Sequence, residues 1–299
     1  MKILLPVDGS DYSRSAVDFV ASRSTLIGTE SDVQVMNVQL AVPVRAARVV
    51  GKAALSEYYA EESDKALKPA LRRLATAGLQ ASERAVVGSP GEEIASAATA
   101  GKVDLIIMGS HGRSALRGLL VGSVTNDVLA RSRTPMLVLR GRNTTTADTL
   151  KVGIAVDGSK YGLAAVKYVL RHAALFGAKP DITVIHVASD LAGAMMPDMS
   201  GIALPPFSDA EVRALQKKSF ESAVAPVRRL LAKGSISASE VCLVGNPGDE
   251  LSAYAKKKKL DVLVMGSHGY GAFKAAVMGS VATRVMARST VPLLLIRQA

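Results

Sequence analysis

The chain contains itself twice. Val7-Asp8-Gly9-Ser10 returns as Val156-Asp157-Gly158-Ser159, 149 residues later, and 103–140 aligns without a gap on 260–297 at an offset of 157. Of those 38 positions 17 are identical, including Met108-Gly109-Ser110-His111-Gly112 against Met265-Gly266-Ser267-His268-Gly269. Solenoid repeats are several-fold shorter, so two copies of this size are a duplicated domain. The 299 residues divide into a first domain at 1–140, a polar, Thr-rich linker at 141–150 and a second domain at 151–299. The change of offset means that the second copy holds eight more residues, between Val187 and Pro226.

Within each copy short apolar runs alternate with amphipathic stretches. In the first copy 2–7, 32–38, 83–87, 104–108 and 136–139 read as strands, and 12–26, 56–77, 90–100 and 123–132 as helices. Ile3-Leu4-Leu5 and Leu105-Ile106-Ile107-Met108 are continuous apolar runs, as strands covered on both faces require. Pro90 and Pro247 suit a first helical turn, and the acids behind them (Glu92-Glu93, Asp249-Glu250) suit its positive end. Pro69 and Pro226 fall inside the second helix of each copy and predict a kink or break there. Alternating strands and helices at this spacing imply right-handed βαβ units. The expected fold is α/β, two open parallel sheets with helices on both faces. Ligands of such sheets bind beyond the carboxyl ends of the strands.

Composition removes several function classes. No stretch reaches the ~18 apolar residues of a membrane span, so no membrane partner is expected. The opening Met1-Lys2-Ile3-Leu4-Leu5-Pro6-Val7-Asp8 meets a carboxylate too early for a signal peptide. A cytoplasmic protein is expected. A single cysteine, Cys242, builds neither a disulfide nor a Cys-rich metal site, and reads as a small buried hydrophobe in its strand. The net charge of +11 is spread over both copies, with 18 basic and 14 acidic residues in 1–146. Aromatics are 4% and Trp is absent, which argues against single-strand binding. Lys256-Lys257-Lys258-Lys259 reads as the closing turn of a helix, and nucleic acid is not an expected partner.

The residues that carry chemistry follow the first and fourth strands. After the fourth, Gly109, Gly112 and Gly122-Ser123 stand in the frame G-x2-G-x9-G-S, repeated as Gly266, Gly269 and Gly279-Ser280. Glycines there let the backbone turn and approach a phosphate, and the next helix start is an anion site. Ser123 and Ser280 read as N-caps with a hydroxyl to offer the same phosphates. Asp8 and Asp157 end the first strand at the same rim, which predicts a ribose contact or a Mg²⁺ held with the phosphates. Val38 and Val187 end the second strand, the natural wall for an adenine ring, with core packing as the alternative role of a valine there. His111 and His268 sit in the glycine loop with no metal-ligand or triad partner, as loop-positioning or phosphate-neighbouring groups. No catalytic residue is assigned. Arg113 is matched by Tyr270, so its phosphate contact belongs to the first copy.

With Leu4-Leu5-Pro6-Val7-Asp8-Gly9-Ser10, the Met-Gly-Ser-His-Gly loops and the glycine frame, the whole chain resembles the universal stress protein family in its tandem form. The resemblance implies two Rossmann-like domains, each a five-stranded parallel sheet in the order 3-2-1-4-5. It also implies ATP, ADP or AMP in each. By position, the adenine pocket of the first copy is similar to Asp8 and Val38 with the backbone near Met108, and Pro6 and Val7 join the cofactor-binding set that the resemblance implies. Its phosphate cradle is similar to Gly109, Gly112, Gly122, Ser123, Val124 and Thr125. The matching set in the second copy is Asp157, Val187, Met265, Gly266, Gly269, Gly279, Ser280 and Val281. That copy departs from the pattern where Ala282 replaces Thr125 and where the first strand reads Gly153-Ile154-Ala155-Val156. Family members pair through their last strands. Here 136–139 and 293–296 suit such an edge contact, between the two domains, between two chains as a homodimer, or both.

The implied role is a stress-response sensor or regulator that is not an enzyme. An interaction scaffold with empty pockets and an unknown protein partner is the alternative, supported by the methionine-rich Met195, Met196 and Met199. An adenylating ligase lacks its motifs: there is no Ser-Gly-Gly-rich loop after the first strand, no His-Ile-Gly-His and no Gly-x4-Gly-Lys-[Ser/Thr].

Overall fold

The computed structural model describes residues 1–28, 31–112, 121–141, 147–191, 207–234, 236–269 and 278–297. The first half runs β1 (Lys2–Pro6), α1 (Asp11–Ala21), α2 (Ser24–Ile27), β2 (Asp32–Gln39), α3 (Val44–Val50), α4 (Lys52–Thr76), β3 (Ala81–Val87), α5 (Pro90–Ala100), β4 (Leu105–Gly109), α6 (Ser123–Arg131) and β5 (Met136–Leu139). The second runs β6 (Lys151–Ala155), α7 (Lys160–Arg171), a 3-10 turn (Ala173–Phe176), β7 (Asp181–Ala188), α8 (Asp209–Lys233), β8 (Ser239–Val244), α9 (Pro247–Lys258), β9 (Val262–Gly266), α10 (Ser280–Arg288) and β10 (Leu293–Ile296).

All strands join one sheet in the order β3-β2-β1-β4-β5-β10-β9-β6-β7-β8. Within each half the pairing is parallel, and the strand order reverses beside the first strand, between β1 and β4 and between β6 and β9. The halves meet where β5 and β10 run antiparallel, Leu293 opposite Val138 and Leu295 opposite Met136. These strands are buried along their whole length. The edge contact is therefore made inside the chain, and a homodimer through the same edges would have to open it. At the seam Arg140 donates from its guanidinium to the carbonyl of Met286, and burial pushes its pKa down to about 10. Apolar residues bury both sides of the sheet. One core joins Leu5, Phe19, Leu74 and Ile107 with Ile154, Phe176 and Val264, and the other joins Leu4, Ile106, Val138, Leu263 and Leu295.

Local chemistry explains most boundaries. Ser10 and Ser159 cap α1 and α7, each accepting from an amide in the first turn, and Asn246 caps α9. Ser208 and Glu211 form a capping box on α8. The expected helix at 12–26 is two pieces, α1 and α2, and α3 was not expected at all. The two internal prolines do not break their helices. Both α4 and α8 run through 25 residues, each with proline at the eighteenth position. Only one intrahelical bond is removed. Around Pro69 the freed carbonyl lies on the exposed side with Lys65, while Ala66, Leu67, Ala70 and Leu74 stay buried.

Because α4 and α8 correspond residue for residue, the eight extra residues fall between β7 and α8. Most of that stretch, with Met195, Met196 and Met199, lies outside the described residues, as do Arg113 and Tyr270. The end of the expected linker belongs to the fold: Leu150 is fully buried and its amide donates to the carbonyl of Phe176. Cys242 corrects its expectation. It is exposed, because β8 is an edge strand without a full layer over its outward side. No helix among the described residues is long and apolar enough to cross a membrane.

Candidate functional site

The rim beyond the carboxyl ends of β6, β7 and β9 holds a cavity of about 380 Å³, within the ~300–1,000 Å³ usual for small-ligand sites. Asp157, Val187, Met265, Gly266, His268, Gly269, Gly279, Ser280 and Val281, every position expected in the second copy, line it together. The apolar side is completed by Ile185, Pro247 and Leu251, which lie outside the expected set.

The glycines have separate reasons. A Cβ on Gly266 would lie 2.6 Å from Tyr161 Cβ and 2.9 Å from its carbonyl carbon, and Gly109 meets Tyr12 in the same way. That first glycine is needed to pack the fourth strand against the first helix, not to admit a phosphate. A Cβ on Gly269 would lie 2.8 Å from Asp157 Oδ2, and one on Gly112 would lie 2.6 Å from Asp8 Oδ2. The second glycine thus makes room for the carboxylate. One carboxylate oxygen is used locally, since Ser159 N–H donates to Asp157 Oδ1 (2.9 Å) and Ser10 N–H to Asp8 Oδ1 (3.0 Å). The other faces the glycine loop. Among the described residues no group of three potential ligands forms a metal site.

The third glycine starts the last helix. Gly279 is the N-cap of α10 and Gly122 that of α6, with no side-chain cap on either. Ser123 and Ser280 are therefore the first helical residues, one place beyond the cap expected of them. Gly279 N–H donates to Ser267 O (2.8 Å), and the first intrahelical bond runs from Thr283 to Gly279 (2.9 Å). The amides of Ser280, Val281 and Ala282 are left without a partner among the described residues. Thr125 also corrects its expectation: its hydroxyl is buried and donates to Gly109 O (3.1 Å), tying the loop to β4 rather than facing a ligand.

His268 is 7% exposed. Its Nδ1 lies 2.8 Å from Ser267 Oγ, its ring packs on Tyr161 at 5.2 Å, and its Nε2 is buried with no partner among the described residues. His111 repeats the contacts with Ser110 (3.0 Å) and Tyr12 (5.1 Å). The loops of both halves therefore share one design, although Ser110, Ser267, Tyr12 and Tyr161 were not singled out. The recurrence of the tyrosine at the 149-residue offset was a signal for it. No cation lines the cavity among the described residues. Its positive field is the start of α10.

The family profile described as "Universal stress protein family" matches residues 1–140 and again 149–297. The chain belongs to that family. Among universal stress proteins, one of Methanocaldococcus jannaschii is 40% identical over 83 residues, which cover 28% of this chain and about half (51%) of that relative. One of Mycolicibacterium smegmatis is 24% identical over 304 residues, covering 99% of this chain and 96% of the other. The crystal structure of a universal stress protein from Archaeoglobus fulgidus shares the fold, with a TM-score of 0.66, 22% identity, and 98% and 97% of the two chains covered.

Proposed function

We propose that this universal stress protein binds ATP or a related adenine nucleotide in each half and serves as a stress-response nucleotide sensor or regulator rather than an enzyme. The observation that carries the reading is the meeting, in one cavity, of an uncapped helix start with the buried Nε2 of His268, which has no partner among the described residues. A buried polar atom without a partner is costly, and amides that no side chain caps are open to a ligand; an anion answers both. The base lies against Val187 and Leu251, the ribose beside Asp157, and the phosphates on the amides of Ser280 and Val281. In the first half Asp8, Val38, Gly112, Gly122, Ser123 and Val124 take the same parts. A Mg²⁺ bound with the phosphates would be met from the protein by Asp8 or Asp157. Both domains, at 1–140 and 151–299, are nucleotide units, and the protein acts in the cytoplasm.

Denaturing the purified protein and chromatographing the supernatant should release adenine nucleotide. Titrating ATP should then show binding that falls about tenfold or more in Gly279→Val, whose side chain enters against Ser267 O and covers the amides, and in His268→Ala at the second site. No released nucleotide together with no binding at millimolar ATP would overturn the reading.

A further inference from the structure

Eight large hydrophobic residues are exposed among the described residues, and five of them fall within one short stretch: Leu40, Val44, Val49, Val50 and Tyr58. A sixth, Val87, ends β3 opposite Gln39, next to Leu40. The patch is centred on α3, which stands on α4 beyond the end of β2. Tyr59 holds the approach by accepting the amide of Val42 at its hydroxyl (2.7 Å). Val49 is 87% and Leu40 69% exposed, so these side chains project from the surface. Apolar residues clustered in this way mark a contact surface, whereas scattered ones do not.

Charge decides which contact. Between Leu40 and Ser56 there is no acid, while Arg45, Arg48 and Lys52 are all exposed and form no ion pair among the described residues. Arg45 and Arg48, three apart, lie near each other on α3, and each has a valine one turn away on the same side, Val49 by Arg45 and Val44 by Arg48. A second copy meeting this patch face to face would bring its cations against the same cations. Exposed apolar side chains interleaved with cations that form no ion pair among the described residues, on a chain of net charge +11, suit a lipid surface carrying negative headgroups. We infer that the α3 patch docks the protein peripherally on anionic membrane surfaces, with Val44, Val49 and Val50 entering the headgroup layer and Arg45, Arg48 and Lys52 among the phosphates. This mode needs no spanning segment, which is all that the hydropathy of the sequence excludes. It is independent of the nucleotide cavity.

The test is co-sedimentation of the full chain with vesicles of phosphatidylglycerol and phosphatidylcholine in equal parts, and with phosphatidylcholine alone. Binding is expected to the first, weakening as salt rises, and not to the second. Arg45→Glu with Arg48→Glu should lower it by roughly thirtyfold or more. Val44→Ser with Val49→Ser and Val50→Ser should also reduce it; as exposed changes they leave the melting temperature nearly unchanged. Lys256→Glu with Lys257→Glu should leave it intact. Absence of binding to anionic vesicles overturns the inference, and so does binding lost through the lysine variant but not the α3 variants. A concentration-dependent dimer abolished by the valine substitutions would instead show that the patch faces protein.

Discussion

The two halves present the same loop with different supports. In both, the first glycine accommodates a tyrosine, the second a carboxylate, and the third starts a helix that no side chain caps. What differs lies behind the loop. Thr125 ties its strand end with a hydroxyl that Ala282 lacks. Asn37 donates to Val7 O (2.7 Å) where His186 meets Val156 O at 2.9 Å through Nδ1, its Nε2 lying 2.8 Å from Ser219 Oγ. Main-chain amides offered to a ligand do not depend on side-chain identity, so duplication can rework the supports and keep the grip. The substitution of Ala282 for Thr125 looks in sequence like a lost phosphate contact; the buried hydroxyl makes it a lost brace.

The largest effect should come from the shared glycine. Gly266→Ala and Gly109→Ala each force a Cβ into the backbone of the helix above, at contacts well under van der Waals distance. Each should lower stability by about 2–3 kcal/mol, measured by urea denaturation. The two halves should respond alike. Tolerance in one half alone would mean that its first glycine serves only the ligand.

A smaller effect separates the halves. Thr125→Ala removes a buried hydroxyl and should lower stability by about 1 kcal/mol. With the hydroxyl acting as a brace, ATP affinity at the first site should shift by no more than about twofold, since the amides of Ser123 and Val124 remain. A drop of tenfold at unchanged melting temperature would return Thr125 to the phosphates.

How much could be read from residues alone followed how local the cause was. The strand at 136–139 and the helix at 90–100 match the structure residue for residue. A continuous apolar run states a buried strand, and Pro90 with Glu92 and Glu93 states a helix start. The glycine frame located the rim because turn and helix start are near in sequence. What failed depended on the third dimension. Cys242 alternates like a buried strand residue, and only its place at the sheet edge exposes it. Pro69 looked like a break because the burial that holds α4 together comes from distant strands. Arg45 to Val50 carry no helical period of their own, so α3 was silent. The tyrosine under each histidine lies about a hundred residues away from it in the chain, and only the repeat could have linked them.

The smallest effect lies where the halves face each other, at the ends of α1 and α7. Arg23 and His172 correspond at the 149-residue offset, as do Phe19 and Tyr168. Arg23 is fully buried over Phe19 at 5.6 Å; its pKa is lowered mainly by burial, against the pull of Asp148 and Asp261. His172 packs on Tyr168 at 4.5 Å, and Tyr168 donates its hydroxyl to Asp104 O of the other half (3.2 Å). Burial lowers the pKa of His172 as well, outweighing the attraction of Asp104. The unfolded chain therefore takes up this proton at higher pH than the folded one. Stability contributed here is intact above the ordinary histidine value of ~6.5, declines as pH falls through it, and levels off once the folded imidazole is itself protonated. Arg23 stays charged across that range and adds no slope. Urea midpoints of wild type and His172→Gln should run parallel above pH ~6.5 and converge or cross below it. Curves that stay parallel on acidification would show that the two cross-half contacts are equivalent and that neither titrates.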